Sequence, residues 1–129
     1  MYPTSTIYQT IAEATIYYLP GKYTLDTSAK AALDALAVHA LLTDGYLIEI
    51  AGYASANGSK AYNQQLSEDR AAAVAQYLRS QGSIPLRRIV APVGYGSIPP
   101  YSENDDPQGR ALDQRVDVKL IVNKGLGGM

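Results

Sequence analysis

"GYASANGSKAYNQQLSEDRAAAV" runs from Gly52 to Val74. Small, turn-forming residues hand over to a helix-forming run. At 100° per residue, Leu66, Arg70, Val74, Tyr77 and Leu78 share one stripe of that helix. A guanidinium therefore sits inside an apolar face. Spacing alone leaves two possibilities open. Arg70 is a surface side chain with a packed stem and a wet head, or it is held at the rim of the core and aimed at a carboxylate, which its planar fork suits.

Working outward, "YLIEIAG" at 46–52 is a strand that feeds the small-residue loop 53–59. The helix runs to about Ser80, with Tyr62–Leu66 as an early turn and Ser67 capping its main part, and Gly82 as its stop. Upstream, "ATIYYL" at 14–19 is β-branched and aromatic, hence a strand. Thr27–Leu42 is helical, with Leu33, Leu36, Ala37, Ala40 and Leu41 at i, i+3, i+4, i+7 and i+8, and Thr27 or Ser28 as its cap. Downstream, "RRIVAPVGYG" at 87–96 is a third strand, irregular at Pro92. A polar connection fills 97–114, a length typical of functional or mobile loops. "RVDVKLIV" at 115–122 alternates strictly, so Asp117 and Lys119 line a wet face. The order βαβαββ predicts an α/β sandwich: a mixed sheet with both main helices on one face. The expected core is Leu33, Leu36, Leu41, Ile48, Ile50, Val74, Leu78, Val116, Val118 and Leu120. Residues 1–13 are expected as a flexible leader, 14–124 as the domain and 125–129 as a flexible tail.

The 129 residues fit one domain. A net charge of −1 supplies no field to recruit nucleic acid or an anionic membrane. The chain has no cysteine, which removes disulfides and thiolate chemistry together. No apolar run approaches the ~20 residues that span a bilayer, and the N-terminus lacks signal-peptide features. The expectation is a cytosolic protein or a segment of a longer exported one. Tyr occurs 11 times, Phe and Trp never, so the core should carry hydroxyls that need partners.

Nothing points to catalysis. His39 is the only histidine and has no cysteine or second histidine to share a metal with. No serine lies in a nucleophile elbow. "GYG" at 94–96 is not a dinucleotide fingerprint, and Glu103, Asp105 and Asp106 lack the EF-hand rhythm. No catalytic residue, metal or cofactor is assigned.

The spacing does carry a resemblance. Gly52, Gly58, Asn63, Leu66, Ser67, Arg70, Ala71 and Val74, then Gly94 and Gly96, then Gly109, Arg110, Arg115 and Val116, fall in register with the OmpA-like domain family. The pattern there is approximately G-H-T-D-x-x-G-x-x-x-Y-N-x-x-L-S-x-x-R-A-x-x-V, G-Y-G-x-x-x-P and G-R-x-x-N-R-R-V. The likeness spans about residues 14–122. It implies a periplasmic, outer-membrane-associated module of a longer exported protein that binds the peptide stem of peptidoglycan non-covalently, at its diaminopimelate residue. The membrane enters only through other parts of that protein, and a homo-oligomer is compatible with the resemblance.

By that resemblance Arg70 takes the ligand carboxylate in a shallow cleft, and Asn63 and Leu66 belong to the same motif. The T-D pair, whose acid takes the ammonium, is Ala54-Ser55 here. The first Arg of N-R-R is Gln114, preceded by Asp113. The strand-to-helix loop that often adds a ligand contact is Leu19-Pro20-Gly21-Lys22. Losing one charge-assisted contact costs roughly 1.5–3 kcal/mol, on the order of 10- to 100-fold in affinity. Without an acid at Ser55, Arg70 is left to water, an acid of 103–106 or Asp113. An alternative function follows: a structural or assembly module of the same fold that has lost diaminopimelate binding.

Overall fold

The computed structural model describes residues 7–55, 58–97 and 112–124. The elements are β1 (Tyr8–Tyr17), α1 (Thr27–Leu41), β2 (Tyr46–Gly52), α2 (Lys60–Ser80), a 3-10 turn at Leu86–Arg88, β3 (Val93–Gly94) and β4 (Arg115–Asn123). They form one sheet in the order β1-β4-β2-β3. β4 lies antiparallel to β1 and to β2, and β3 runs parallel to β2. This is the expected α/β sandwich.

Register explains why both helices sit on one face. Ile16 pairs with Val116 and Ala14 with Val118 across β1 and β4, while Ile48 pairs with Leu120 and Ile50 with Val118 across β2 and β4. These side chains project to the same side and join Leu33, Leu36 and Ala40 of α1 and Val74 and Leu78 of α2 in a single core. Full burial of each large aliphatic side chain contributes about 1.5–3 kcal/mol. The opposite face carries Glu13, Glu49, Asp117 and Lys119 and has no helix over it among the described residues, as the alternation of β4 predicts.

Several local expectations are corrected. β1 starts at Tyr8, inside the expected leader, and bulges between Thr10 and Ala12. It is an edge strand whose outer half carries polar residues, so its pattern is weak while its ladder to β4 is not. Asp26, rather than Thr27 or Ser28, caps α1 by accepting from the Ala29 amide at 2.8 Å. α2 is continuous from Lys60: Ser59 caps it through the Tyr62 amide, and Ser67 is a buried interior residue whose hydroxyl bonds the Gln64 carbonyl at 2.8 Å. Gly82 follows the C-cap Gln81 as the expected stop, while the left-handed residue is the next one, Ser83 (φ 60°). The third strand shrinks to Val93–Gly94, with the 3-10 turn and a bridge between Ile48 and Ile89 in place of its first half. Leu41, expected in the core, is 54 % exposed, because the α1 face that meets the sheet ends at Ala40. Ile16, Ile84 and Ile89 are buried instead. The acids at 103–106, Gly109, Arg110 and the tail at 125–129 lie outside the described residues.

Candidate functional site

Two glycines set where α2 lies. A Cβ on Gly52 would stand 2.2 Å from the Ser67 carbonyl oxygen, and one on Gly94 would stand 2.5 Å from the Glu68 backbone nitrogen. Only bare backbone lets the helix approach the ends of β2 and β3 this closely. Ser67 stitches the contact: its hydroxyl accepts from the Gly96 amide at 2.8 Å, and the Gly96 carbonyl accepts from the Ala54 amide at 2.8 Å. The helix turn that follows delivers Arg70 to the point where four chain segments converge. That is what the small residues opposite the stripe hold in place.

Arg70 is not at a rim. It has no exposed surface. Its Nε donates to the Lys22 carbonyl at 2.7 Å, Nη1 to the Tyr53 carbonyl at 3.0 Å and to Gln114 Oε1 at 2.6 Å, and Nη2 to the Leu19 carbonyl at 3.2 Å. The Tyr18 ring lies 4.8 Å from the guanidinium carbon. Four of the five N–H donors are thus held by neutral oxygens. Neither Asp113 nor any other carboxylate of the described residues pairs with it; Asp113 instead approaches Arg115 at 3.8 Å. Burial lowers the Arg70 pKa to about 10, with Tyr18 and Tyr62 opposing the shift. The group remains a cation at neutral pH, solvated by carbonyl dipoles rather than by a counter-ion.

Of the sequence-predicted site residues, Arg70 and Gln114 are brought into direct contact, and Gln114 is buried. Ala54 and Leu66 are buried, Asn63 is buried near the start of α2, and Ser55 is half-buried two residues beyond Tyr53. Sequence reasoning missed Tyr18 and the three carbonyls of Leu19, Lys22 and Tyr53. The loop at 19–22 turns two of its backbone carbonyls onto the guanidinium. The hydroxyl of Tyr18 also departs from expectation: it is buried without a partner among the described residues, and burial raises its pKa far above the ordinary tyrosine value.

A second cluster lies on the open sheet face behind the Tyr53 carbonyl. Tyr53 stacks on Tyr95 with centroids 5.5 Å apart, and the Arg115 guanidinium lies 4.1 Å from the Tyr53 centroid. Arg115 Nε donates to Asp117 at 3.2 Å.

The sequence matches the OmpA family over residues 17–114. It is 35% identical to outer membrane protein A of Bordetella avium over 103 residues, which is 80% of this chain and 52% of that protein. It is 40% identical to the peptidoglycan-binding protein ArfA of Mycobacterium bovis over 76 residues, 59% of this chain and 22% of that one. The chain therefore spans about half, or less, of the length of these relatives. Among solved structures, the peptidoglycan-associated lipoprotein of Burkholderia pseudomallei superposes with a TM-score of 0.76 at 24% identity, covering 82% of this chain and 88% of that one. At that identity the likeness establishes the fold alone.

Proposed function

The chain belongs to the OmpA family, and from that premise we propose that it is a non-catalytic module that holds a larger envelope protein to peptidoglycan on the periplasmic side of the outer membrane. The ligand group we assign is the free carboxylate of the peptide stem, of the diaminopimelate type. One observation carries this. Arg70 is a buried cation with no carboxylate partner among the described residues, in a family whose relatives include a protein named for peptidoglycan binding. The charge is met only by neutral oxygens, so a carboxylate that reached it would form a charge-assisted pair, roughly twice as strong as a neutral bond it displaced.

The geometry alters how that anion would be met. Among the described residues, one N–H, on Nη2, is left over by the protein's own acceptors. A bidentate fork would require the ligand to displace Gln114 Oε1 or a carbonyl. With Ser55 in place of an acid, the stem ammonium meets a neutral hydroxyl. Asn63 and Gln114 then supply amide contacts, and Ala54 and Leu66 shape the wall.

The complete burial of Arg70 and the loss of the acid at Ser55 favour a second function: an OmpA-fold assembly module that no longer takes diaminopimelate. Co-sedimentation with purified sacculi separates the two. Retention of the wild type, competed by a free diaminopimelate-containing tripeptide, supports the first. A folded domain that stays in the supernatant refutes it and leaves the second.

A further inference from the structure

Residues 49 and 51 of β2, with 53 just past its end, and 93 of β3, with 95 just past its end, line the face that the helices do not cover, where Ala51 pairs with Val93. There a pocket of about 300 Å³ is lined by Tyr53, Tyr95, Glu49, Asp117, Lys119 and Val93, among others. That volume is at the lower limit for ligand sites and suits one small ring.

The chemistry of the lining narrows what that ring can be. Its charged lining is two carboxylates, Glu49 and Asp117, and one ammonium, Lys119. Glu49 stands opposite Lys119 in register, and Asp117 is held by Arg115. Two acids to one base disfavour an anion, and the acids already face Lys119 and Arg115. The lining offers instead carboxylate acceptors, an ammonium donor and phenol hydroxyls around an aromatic surface. Tyr95 is 46% exposed, and its partner Tyr53 is braced by the Arg115 guanidinium. Burial, then the charge of Asp117, raises the Tyr53 pKa, so its phenol stays a donor. A half-exposed aromatic ringed by carboxylate acceptors, an ammonium and phenol donors matches a pyranose. Axial C–H bonds lie on the ring, and hydroxyls reach the polar rim.

We infer that this open-face pocket is a glycan subsite that takes an uncharged N-acetylated pyranose of the polysaccharide strand, separate from the stem contact at Arg70. The inference rests on the peptidoglycan assignment above, because that polymer carries sugar and peptide together. The two regions are joined through one residue: the Tyr53 carbonyl accepts from Arg70 at 3.0 Å while its ring belongs to the pocket.

The test is an amide-shift titration of the whole chain with two separate probes: a β-1,4-linked N-acetylglucosamine tetramer, which has no peptide, and a diaminopimelate-containing tripeptide, which has no sugar. The tetramer should shift Glu49, Ala51, Tyr53, Tyr95 and Asp117. Tyr95→Ala, at an exposed position, should weaken tetramer binding roughly tenfold or more and leave the tripeptide isotherm unchanged. Glu49→Gln should weaken the tetramer several-fold while preserving the spectrum of the free protein. No tetramer shifts, shifts elsewhere, or a Tyr95→Ala isotherm equal to wild type would overturn the glycan subsite. Loss of the tripeptide response alone would overturn the stem assignment and leave the glycan subsite standing.

Discussion

Removing Arg70 should damage the fold itself, and the size of that damage follows from its partners. The guanidinium ties the Leu19 and Lys22 carbonyls after β1 to the Tyr53 carbonyl after β2 and the Gln114 amide before β4. Arg70→Ala leaves four acceptors facing a void. At about 1 kcal/mol net for each hydrogen bond lost, the change costs about 4 kcal/mol. The vacated volume adds to this, and relief from desolvating a charge subtracts from it. Domains have about 5–15 kcal/mol in total, so the variant should remain folded but lose a large fraction of its stability. For a chain of this size each kcal/mol shifts Tm by roughly 3–5 °C, giving a drop of about 12–20 °C. Arg70→Lys keeps the charge but offers three donors on one atom, which cannot span acceptors at four points, so about half the loss should persist. Urea unfolding followed by circular dichroism measures both. A Cm for Arg70→Ala within 1 kcal/mol of wild type, at equal m, would refute the view that this residue is a structural clamp, and would return it to the rim. Any sacculus-binding defect of these variants must be measured where each is fully folded.

Other outcomes are expected. Gly52→Ala should cost about 3 kcal/mol by pushing α2 off β2, since the new methyl meets the Ser67 carbonyl; unchanged thermal stability would mean the helix can slide freely. Tyr18→Phe deletes a hydroxyl with no partner among the described residues while keeping the ring against Arg70, so it should be neutral or stabilising by up to about 1 kcal/mol, and a loss above that in urea titration would reveal a bond to that hydroxyl. Ser55→Asp should raise affinity for the free diaminopimelate tripeptide roughly tenfold at low salt, less at high salt, by calorimetry; weaker binding would mean that another contact takes the ammonium. Tyr18, Tyr53 and Tyr77 all have raised pKa values, from burial in the first two and from the hydrogen bond to Asp34 in the third. Their contribution is fully present below the unfolded tyrosine value of 10.0 and is lost as pH climbs above it. The lowered pKa of Arg70 acts with the opposite sign between about 10 and 12.5. Stability should therefore be flat from neutrality to about pH 9 and then fall, with the buried Tyr18 phenol, supported by Tyr53, outweighing the guanidinium, while the solvent-screened Tyr77 adds little. A rise in Cm above pH 10 would reverse that ordering.

Periodicity was enough to place most of the architecture. β2 begins and ends where "YLIEIAG" does, α1 ends one residue from its expected limit, and β4 buries Val116, Val118 and Leu120 as its spacing selects, although Val122 is half-buried and Ile121 is buried on the other face. Those features are local: 3.6- and 2-residue repeats are written along a segment and survive whatever it packs against. Weak elements were illegible because they depend on neighbours. The first half of β1 is a strand only because β4 offers a ladder, and the segment around Pro92 is not one because it sits at an edge with only two residues paired. Arg70 divides the two kinds of information most sharply. Its register along the chain, and therefore its family position, could be read from spacing to Asn63, Leu66 and Val74. Its complete burial could not. Three of its four partners are backbone carbonyls and the fourth is an uncharged amide, from positions 17 to 51 residues away. A carbonyl is the same in every residue and leaves no mark in a sequence, so the solvation of this cation was decided only when the sheet brought those segments together.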